Sequence, residues 1–360
     1  MKKVQFFITG LGPGGAERQL TGLACLLKER GYKVQVCWYT DINFYESYLI
    51  HEEVDCKRLY TSNHLKKIFN IWNSIRQFKP DIVISYLDGP NTISAYLKAF
   101  TFGKYKLIVS ERNTTQRIDW RTRLRFWGYK FADCIVPNSN SQALFIAKNY
   151  PQYKTKTTTI TNFTDLVKFS PRPKDYCEAL HGMVAARITE AKNVKRFIKA
   201  VALARNKGAR IDISWFGKHV SNDYLDECHQ LIQSLNMESY FHLFPATQQI
   251  IEEYRSNDVV ILPSLYEGFP NVVCEAISCG LPVLCSDICD NRSLVKDGVN
   301  GYLFNPLDEE SISNTLFAFC SLPESERQNM GKESRIIAES ILSKEHFVNK
   351  YIELFDSLGK

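Results

Sequence analysis

The sequence predicts an α/β protein made of two doubly wound parallel sheets. Three observations carry that prediction. At 360 residues the chain exceeds the size at which a single core stops growing, so two domains of about 150 to 200 residues are expected. Short apolar runs alternate with longer amphipathic stretches along both halves, the pattern of strand, helix and strand joined by right-handed crossovers. The alternation breaks once, in "TITNFTDLVKFSPRPKDY", where Pro171 and Pro173 punctuate a polar, basic stretch.

In chain order, Val4–Ile8 reads as the first strand and "AERQLTGLACLLKERG" as the helix after it. Val34–Tyr39 follows, then a segment ending near Phe78 and the strand-like runs "DIVISYL", "KLIVSE" and "DCIVPNS". A second series begins at "HGMVAARI" and continues through "RIDISWFG", "YFHLFP", "DVVILPS" and "LPVLCS". The linker between them divides the chain into an N-terminal domain over residues 1–168, rejoined by a C-terminal helix over 343–360, and a C-terminal domain over 169–342. Ligands of open parallel sheets bind at the carboxyl edges of the strands, so a cleft between two such edges is expected.

With 44% apolar and 23% charged residues, the composition is that of a globular protein and excludes disordered or collagen-like chains. The apolar run in "MKKVQFFITGLGPGG" is too short for a signal peptide or a membrane span. Eleven cysteines show no C-x-x-C pair and no zinc-ligand spacing, which fits buried free thiols in a reducing, cytoplasmic setting. Charge is unevenly placed. Between Lys98 and Lys130, nine Lys or Arg stand against Glu111 and Asp119, a local net charge of +7 in a chain of +6 overall. Arg117, Arg121, Arg123 and Arg125 interleave there with Trp120, Phe126, Trp127 and Tyr129. That mixture suits an anionic membrane surface or an anionic substrate, while a solvated helix with inward aromatics is the plainer alternative. No nucleic-acid motif accompanies it, so no nucleic-acid partner is expected.

Gly10, Gly12 and Gly15 in "FITGLGPGGAERQL" have G-x-G-x-x-G spacing between a strand and a helix. Such a turn lets the backbone approach a phosphate at a helix N-terminus, without saying which phosphate. The acidic residue that a dinucleotide site places about 20 residues further on is missing, Asp41 coming late. The stretch "LPSLYEGFPNVVCEAISCGLPVLCSD" is more informative. It reads as a buried strand, a loop, and a helix that begins at Pro270 and Asn271 and closes at Gly280. The amides of Gly268, Phe269, Asn271 and Val272 would then surround a helix N-terminus suited to a phosphate. Glu267 precedes that end and Glu275 lies one turn inside it. Carboxylates beside a phosphate call for hydroxyl groups to bind, and a sugar on each side of a phosphate describes a nucleotide-sugar.

Glu267 and Glu275, in "EGFPNVVCEAISCGLPV", resemble the E-x7-E donor signature of the retaining glycosyltransferases of family 4, which have the GT-B fold. "GPGGAER" is similar to the family's first loop, "ARITEAKN" to its Arg-then-Lys diphosphate clamp, "TNFTDLVKFSP" to its interdomain segment and "VKDGVNGYLF" to its late loop. The resemblance covers nearly the whole chain. It implies that Glu275 binds the donor ribose, that Glu267 contacts the transferred sugar, and that Arg187 and Lys192 neutralise the leaving diphosphate. It also implies that Gly14 and Gly15 bring the first loop close to donor or acceptor, and that Gly268, Phe269, Pro270, Asn271 and Val272 line the donor site. The donor, expected to be UDP-linked, is a substrate, and no cofactor is expected. No D-x-D triplet occurs, so no metal is expected either.

Many relatives carry a His-Asp pair where this chain has Glu111, Arg112 and Asn113 in "LIVSERNTTQ"; these three are the acceptor-side candidates. The "SERN" pattern resembles a subgroup that builds bacterial surface polysaccharides, such as capsule or lipopolysaccharide, and lipid-linked oligosaccharides from hexose or N-acetylhexosamine donors. Ser293 replaces a Glu found before the late loop in many relatives. The expected activity is retaining transfer of such a sugar to a lipid-linked or polysaccharide-precursor acceptor, in the cytoplasm and peripheral to the membrane. A non-hydrolysing nucleotide-sugar epimerase has the same architecture and is the enzymatic alternative. An inactive carbohydrate-binding scaffold would have lost Glu267, Arg187 or Lys192, and all three are present.

Overall fold

The computed structural model describes residues 1–172 and 179–359. Pro173, part of the expected linker, lies outside the described residues. The chain forms two compact units, Met1–Asn162 with Lys344–Lys360, and Phe163–Ser343. The division falls six residues before the 168/169 boundary expected from the prolines, directly after Asn162.

The first unit runs β1 (Lys3–Ile8), α1 (Gly15–Glu29), β2 (Lys33–Trp38), α2 (Glu46–His51), β3 (Asp55–Arg58), α3 (His64–Phe78) and β4 (Ile82–Tyr86). It continues with α4 (Asp88–Thr101), β5 (Lys106–Glu111), α5 (Trp120–Gly128), β6 (Cys134–Pro137) and α6 (Asn140–Asn149). Its strands form one parallel sheet in the order β3-β2-β1-β4-β5-β6. Helices cover both faces, so β1, β4 and β5 are buried almost throughout and read as continuous apolar runs.

The second unit contains β7 (Leu180–Ala185), α7 (Val194–Asn206), β8 (Ile211–Phe216), α8 (Asn222–Ser234), β9 (Phe241–Phe244) and α9 (Ile250–Ser256). After these come β10 (Val259–Leu262), α10 (Asn271–Ser278), β11 (Val283–Ser286), α11 (Asn291–Leu294), β12 (Gly301–Phe304), α12 (Glu309–Cys320) and α13 (Glu324–Ile341). The parallel sheet has the order β12-β11-β10-β7-β8-β9. A final helix, α14 (Lys344–Gly359), returns to the first unit.

The edge strands β3 and β12 are the two that apolar patterning does not announce. β3, with sequence DCKR, is half exposed and is held by β2, where the Gln35 side chain donates to Asp55 at 2.7 Å. β12 starts at Gly301, where φ is +156° and an added Cβ would lie 1.8 Å from the Val283 carbonyl oxygen. Only glycine lets this edge approach β11. The end of α10 is as the sequence suggests. Gly280 adopts φ +72°, its N–H donates to Ile277, and the Leu281 N–H donates to Ala276, a Schellman closure. Most described cysteines are buried, and burial pushes the Cys37 thiol up to about 12; Cys289 is the exposed exception to the expected burial.

The chain leaves the first unit after Asn162 and returns at Lys344, and one side chain binds both passages. Arg112, just past β5, donates to Asn162 Oδ1 at 3.1 Å and to the Tyr351 hydroxyl of α14 at 2.8 Å. It also donates to the Tyr86 hydroxyl at 2.7 Å, and its guanidinium lies 4.3 Å from the Tyr86 ring centroid. Burial holds Tyr86 well above the usual phenol range, so it stays neutral. Removing the cation leaves two buried hydroxyls with their mutual contact at 3.1 Å and takes a charged donor from both of them and from Asn162 Oδ1. Arg112→Ala should cost about 2 to 4 kcal/mol and Tyr351→Phe about 1 to 2 kcal/mol. Hydrogen exchange of the α14 amides reads this locally, and unchanged α14 protection in Arg112→Ala would refute the anchoring role.

Candidate functional site

In the second unit the carboxyl edge of the sheet gathers the residues singled out from the sequence. β7 and β10 are neighbours, so the loops leaving them emerge side by side. Beyond β7, the Ala186 N–H donates to the Phe216 carbonyl at 3.0 Å and the Ile188 N–H to the Lys218 carbonyl at 3.0 Å. The indole of Trp215 donates to the Ala186 carbonyl at 2.7 Å. The approach depends on Gly217, where an added Cβ would lie 1.9 Å from the Ala186 carbonyl oxygen. Arg187 stands exposed on this fixed loop.

A single 3-10 turn, Glu190–Lys192, follows. Asn193 ends it in the left-handed region, φ +64°, a conformation asparagine tolerates better than most residues. Its amide donates to the Pro306 carbonyl at 2.7 Å and its Oδ1 accepts from Arg196 at 2.7 Å. The loop after β10 is tied to the same turn, because the Leu265 N–H donates to the Ala191 carbonyl at 2.9 Å. These bonds bring Lys192 Nζ onto Glu267 Oε1 as an ion pair. Buried Ser264 donates to the same carboxylate oxygen at 2.7 Å. Lys192 and Glu267 both stay partly accessible, at 18% and 15% of their side-chain surface.

Glu267, Gly268, Phe269 and Pro270 lead directly into α10, whose N-terminus has no side-chain cap. Asn271 and Val272 open its first turn, half-buried, while Phe269 and Pro270 are buried. Glu275, one turn further along, is 6% exposed and accepts from the Tyr254 hydroxyl at 2.9 Å. A helix N-terminus, a partly accessible cation and two carboxylates, each held by a hydroxyl donor, therefore meet in one small region. The helix end and Lys192 favour a bound anion; the carboxylates favour hydroxyl groups. Motif reading does not single out Ser264 or Tyr254. Ser264 carries a usable signal, a polar residue directly after a buried strand and three before Glu267; Tyr254 carries none.

In the first unit, Gly14 is the N-cap of α1 and Gly15 its first residue. The space a Gly14 Cβ would fill is taken by the Glu17 carboxylate, whose Oε2 would lie 2.2 Å away. Burial raises the Glu17 carboxyl above its ordinary value. At the carboxyl end of β5 the three acceptor-side candidates part company. Glu111 is 1% exposed and enclosed: the Tyr129 hydroxyl donates to it, Gln142 donates at 3.2 Å, and Arg125 lies at 3.5 Å. Arg112 is buried in the knot described above, and Asn113 alone is exposed. The expectation that Glu111 and Arg112 face an acceptor is thus corrected: their polar groups are committed to internal partners. Arg125 bridges Glu111 to Asp88, the first residue of α4. Leu87 before it has φ +76° and ψ 159°, a region that side chains rarely adopt. Leu87 and Asp88 belong to "SYLDGPN", where polar turn residues directly after a buried strand are the signal that could have marked them.

Burial raises the Glu111 carboxyl above its ordinary 4.5, opposed by the Arg125 charge. A carboxyl raised by folding contributes stability that is complete below 4.5 and is lost as pH rises through the raised value. Glu111→Gln should remove that slope, so that denaturation midpoints of wild type and variant diverge in shape above this pH. Parallel midpoint curves would contradict the assignment.

Residues 13–168 match the family model "Glycosyltransferase Family 4" and residues 182–336 match "Glycosyl transferases group 1". The "GalNAc-alpha-(1->4)-GalNAc-alpha-(1->3)-diNAcBac-PP-undecaprenol alpha-1,4-N-acetyl-D-galactosaminyltransferase" of Campylobacter jejuni is 26% identical over 333 residues, 88% of each chain. The amylovoran biosynthesis glycosyltransferase AmsD of Erwinia amylovora is 24% identical and covers 84% of this chain and 86% of its own. Among solved structures, Anabaena HepE in complex with UDP and glucose superposes with a TM-score of 0.87 at 18% identity, over 99% of this chain and 100% of that one. That likeness establishes the GT-B fold expected from the sequence. Among the described residues no helix is long and apolar enough to cross a membrane. With the two family models together spanning both units, the chain belongs to the group 1/family 4 type of glycosyltransferase.

Proposed function

We propose that this glycosyltransferase moves a hexose or N-acetylhexosamine from a nucleotide-sugar, UDP-linked, to a lipid-linked or polysaccharide-precursor acceptor, with retention at the anomeric carbon and without a metal. The observation that carries the reading is the Lys192–Glu267–Ser264 contact at the N-terminus of α10, with Glu275 one turn inside. In this reading the diphosphate lies against the α10 amides and draws the Lys192 ammonium, with Arg187 adding a second charge. Glu275 accepts from the ribose hydroxyls, Glu267 from the transferred sugar. The bond between the anomeric carbon and the phosphate oxygen breaks as the acceptor hydroxyl bonds to the same face. Its proton passes to the departing phosphate, whose growing charge the two cations and the helix end stabilise.

The donor class is supported by the structural likeness to HepE, which is in complex with UDP and glucose, and the acceptor class by the undecaprenol-linked glycan in the Campylobacter enzyme's name. An enzyme working on such an acceptor acts at the cytoplasmic face of a membrane, where the excess of cations between Lys98 and Lys130 suits an anionic leaflet. Capsule and lipopolysaccharide precursors are the acceptors of this kind that the reading favours.

A panel of nucleotide-sugars read by thermal shift identifies the donor, because a tight ligand raises stability by mass action. Against that donor, Glu275→Ala should weaken binding by on the order of 3 kcal/mol, about a hundredfold. Unchanged affinity in calorimetry would sink the ribose assignment. Transfer should persist in excess chelator and fall by roughly 2.7 to 4 kcal/mol of barrier in Lys192→Ala or Arg187→Ala; loss of turnover in chelator, restored by magnesium, would overturn the metal-free mechanism. Incubation with donor alone should leave the donor sugar's configuration unchanged, since epimerisation would mark an isomerase. The product's anomeric configuration by NMR tests retention.

A further inference from the structure

The helix α5 has two apolar faces, and only one of them is used inside the protein. Inward, Phe126 is fully buried against Tyr129 and Tyr150, and Arg125 is committed to Asp88 and Glu111. These two residues, expected from the sequence to share the surface patch, are therefore not part of it. Outward, Trp120, Leu124 and Trp127 recur at i, i+4 and i+7 and form a second stripe. Trp120 is 68% exposed and Trp127 53%. The outward side of a surface helix is ordinarily polar.

The stripe continues onto α4. Trp127 stacks on Tyr96 with ring centroids 5.7 Å apart, and Tyr96 stacks on Phe100 at 6.5 Å. Just beyond the helix end, Phe102 is 89% exposed and adopts φ +48°, a left-handed conformation costly for a bulky residue. Cations sit on these rings: Lys130 Nζ lies 3.5 Å from the Trp127 ring centroid and the Arg121 guanidinium 5.3 Å from that of Trp120. Arg123 is exposed on the same helix. The neighbouring acid, Asp119, caps α5, accepting from the Thr122 N–H at 2.8 Å, and its carboxylate also faces the Arg121 charge.

Exposed tryptophans with cations resting on their faces match a water–lipid boundary, where rings sit at headgroup depth and basic heads reach lipid phosphates. We propose that the outward face of α5, with the end of α4, is the surface by which the N-terminal unit enters an anionic lipid leaflet. This rests on the membrane-facing acceptor reading above and says which face makes the contact. Trp120, Trp127, Phe100 and Phe102 enter the interface; Arg121, Arg123 and Lys130 meet the headgroups. Attachment is reversible and salt-sensitive, since it depends on cations and shallow rings rather than a spanning helix.

The test uses the full chain with vesicles of phosphatidylcholine alone or mixed equally with phosphatidylglycerol. Wild type should sediment with the mixed vesicles, release with rising salt, and ignore the neutral ones. A Trp120→Ser/Trp127→Ser pair should bind at least tenfold more weakly with an unchanged melting curve and unchanged donor binding. Brominated acyl chains should quench wild-type tryptophan fluorescence. A Trp120→Phe/Trp127→Phe pair should still bind while losing the Trp120 and Trp127 share of that quenching, since of the other three tryptophans Trp38 and Trp215 are fully buried and Trp72 of α3 is half-buried. If wild type binds and the serine pair binds equally, this face is wrong and the membrane reading stands. If wild type stays in the supernatant at low salt, the membrane reading itself fails, and transfer to a water-soluble acceptor then shows whether the enzymatic reading survives. A self-association in sedimentation velocity that the serine pair abolishes, without vesicle binding, would make the face a protein interface and overturn the proposal.

Discussion

The Lys192–Glu267 ion pair is the interaction on which the second unit's edge is built. Two charges taken largely from water at this depth cost several kcal/mol each, and contact with one another returns that only when further hydrogen bonds complete the geometry. Ser264 supplies one such bond, and the backbone bond from Leu265 to Ala191 sets the distance between the loops. Each requirement traces to the sheet. β7 and β10 must be adjacent, the Arg187 loop must lie against Gly217, and Asn193 must turn left-handed after Lys192. The ammonium is thus held by a partly accessible carboxylate, in a loop that neighbours the one leading to a helix N-terminus without a side-chain cap.

The first unit solves the same problem differently. Its edge also ends in charges, yet here they are sealed. Arg125 is shared by Asp88 and Glu111, and Arg112 is surrounded by neutral hydroxyl and amide oxygens. A guanidinium with five donors in a planar fork can hold several elements at once, which a lysine ammonium on a flexible stem cannot do with the same geometry. Arg112 uses this to bind the outgoing chain at Asn162 and the incoming helix at Tyr351. The strained backbone at Leu87 lies between Tyr86 and Asp88, each of which is held by one of these two arginine networks.

How much of this is legible in the sequence depends on whether a feature is local. Buried parallel strands announce themselves because both faces are apolar, and the Gly280 closure because a helix end has its own chemistry. Edge strands such as β3 and β12 do not, since half their surface meets water and their pairing depends on the neighbour. The donor-side residues are legible because Glu267 and Glu275 sit in one stretch of chain and Lys192 follows a strand at a fixed interval. Glu111 and Arg112 mislead for the opposite reason. Their partners Tyr129, Asn162 and Tyr351 are distant in sequence, and a charged residue after a strand looks the same whether it faces a ligand or a buried network. The first loop is a similar case, for the Glu17 carboxylate occupies the space beside Gly14, a residue that the family resemblance brings close to donor or acceptor.

The same distinction reshapes the basic segment between Lys98 and Lys130. Counted along the chain its cations look equivalent, but folding sorts them by what stands opposite. Lys98 is paired with Asp133, Arg125 with Asp88 and Glu111, and Arg112 is buried. These three stabilise the fold and offer nothing to a partner. Lys104, Lys106, Arg117, Arg121, Arg123 and Lys130 remain exposed, Lys106 at 4.0 Å from Asp133, and two of the six rest on tryptophan faces. A surface arginine beside an acid would lose most of its field within a Debye length. One resting on an exposed ring has its flat face desolvated on one side only, although Arg121 also has the Asp119 carboxylate near it. The effective charge of the segment is therefore smaller than its composition states, and part of it lies against the exposed tryptophans of α5.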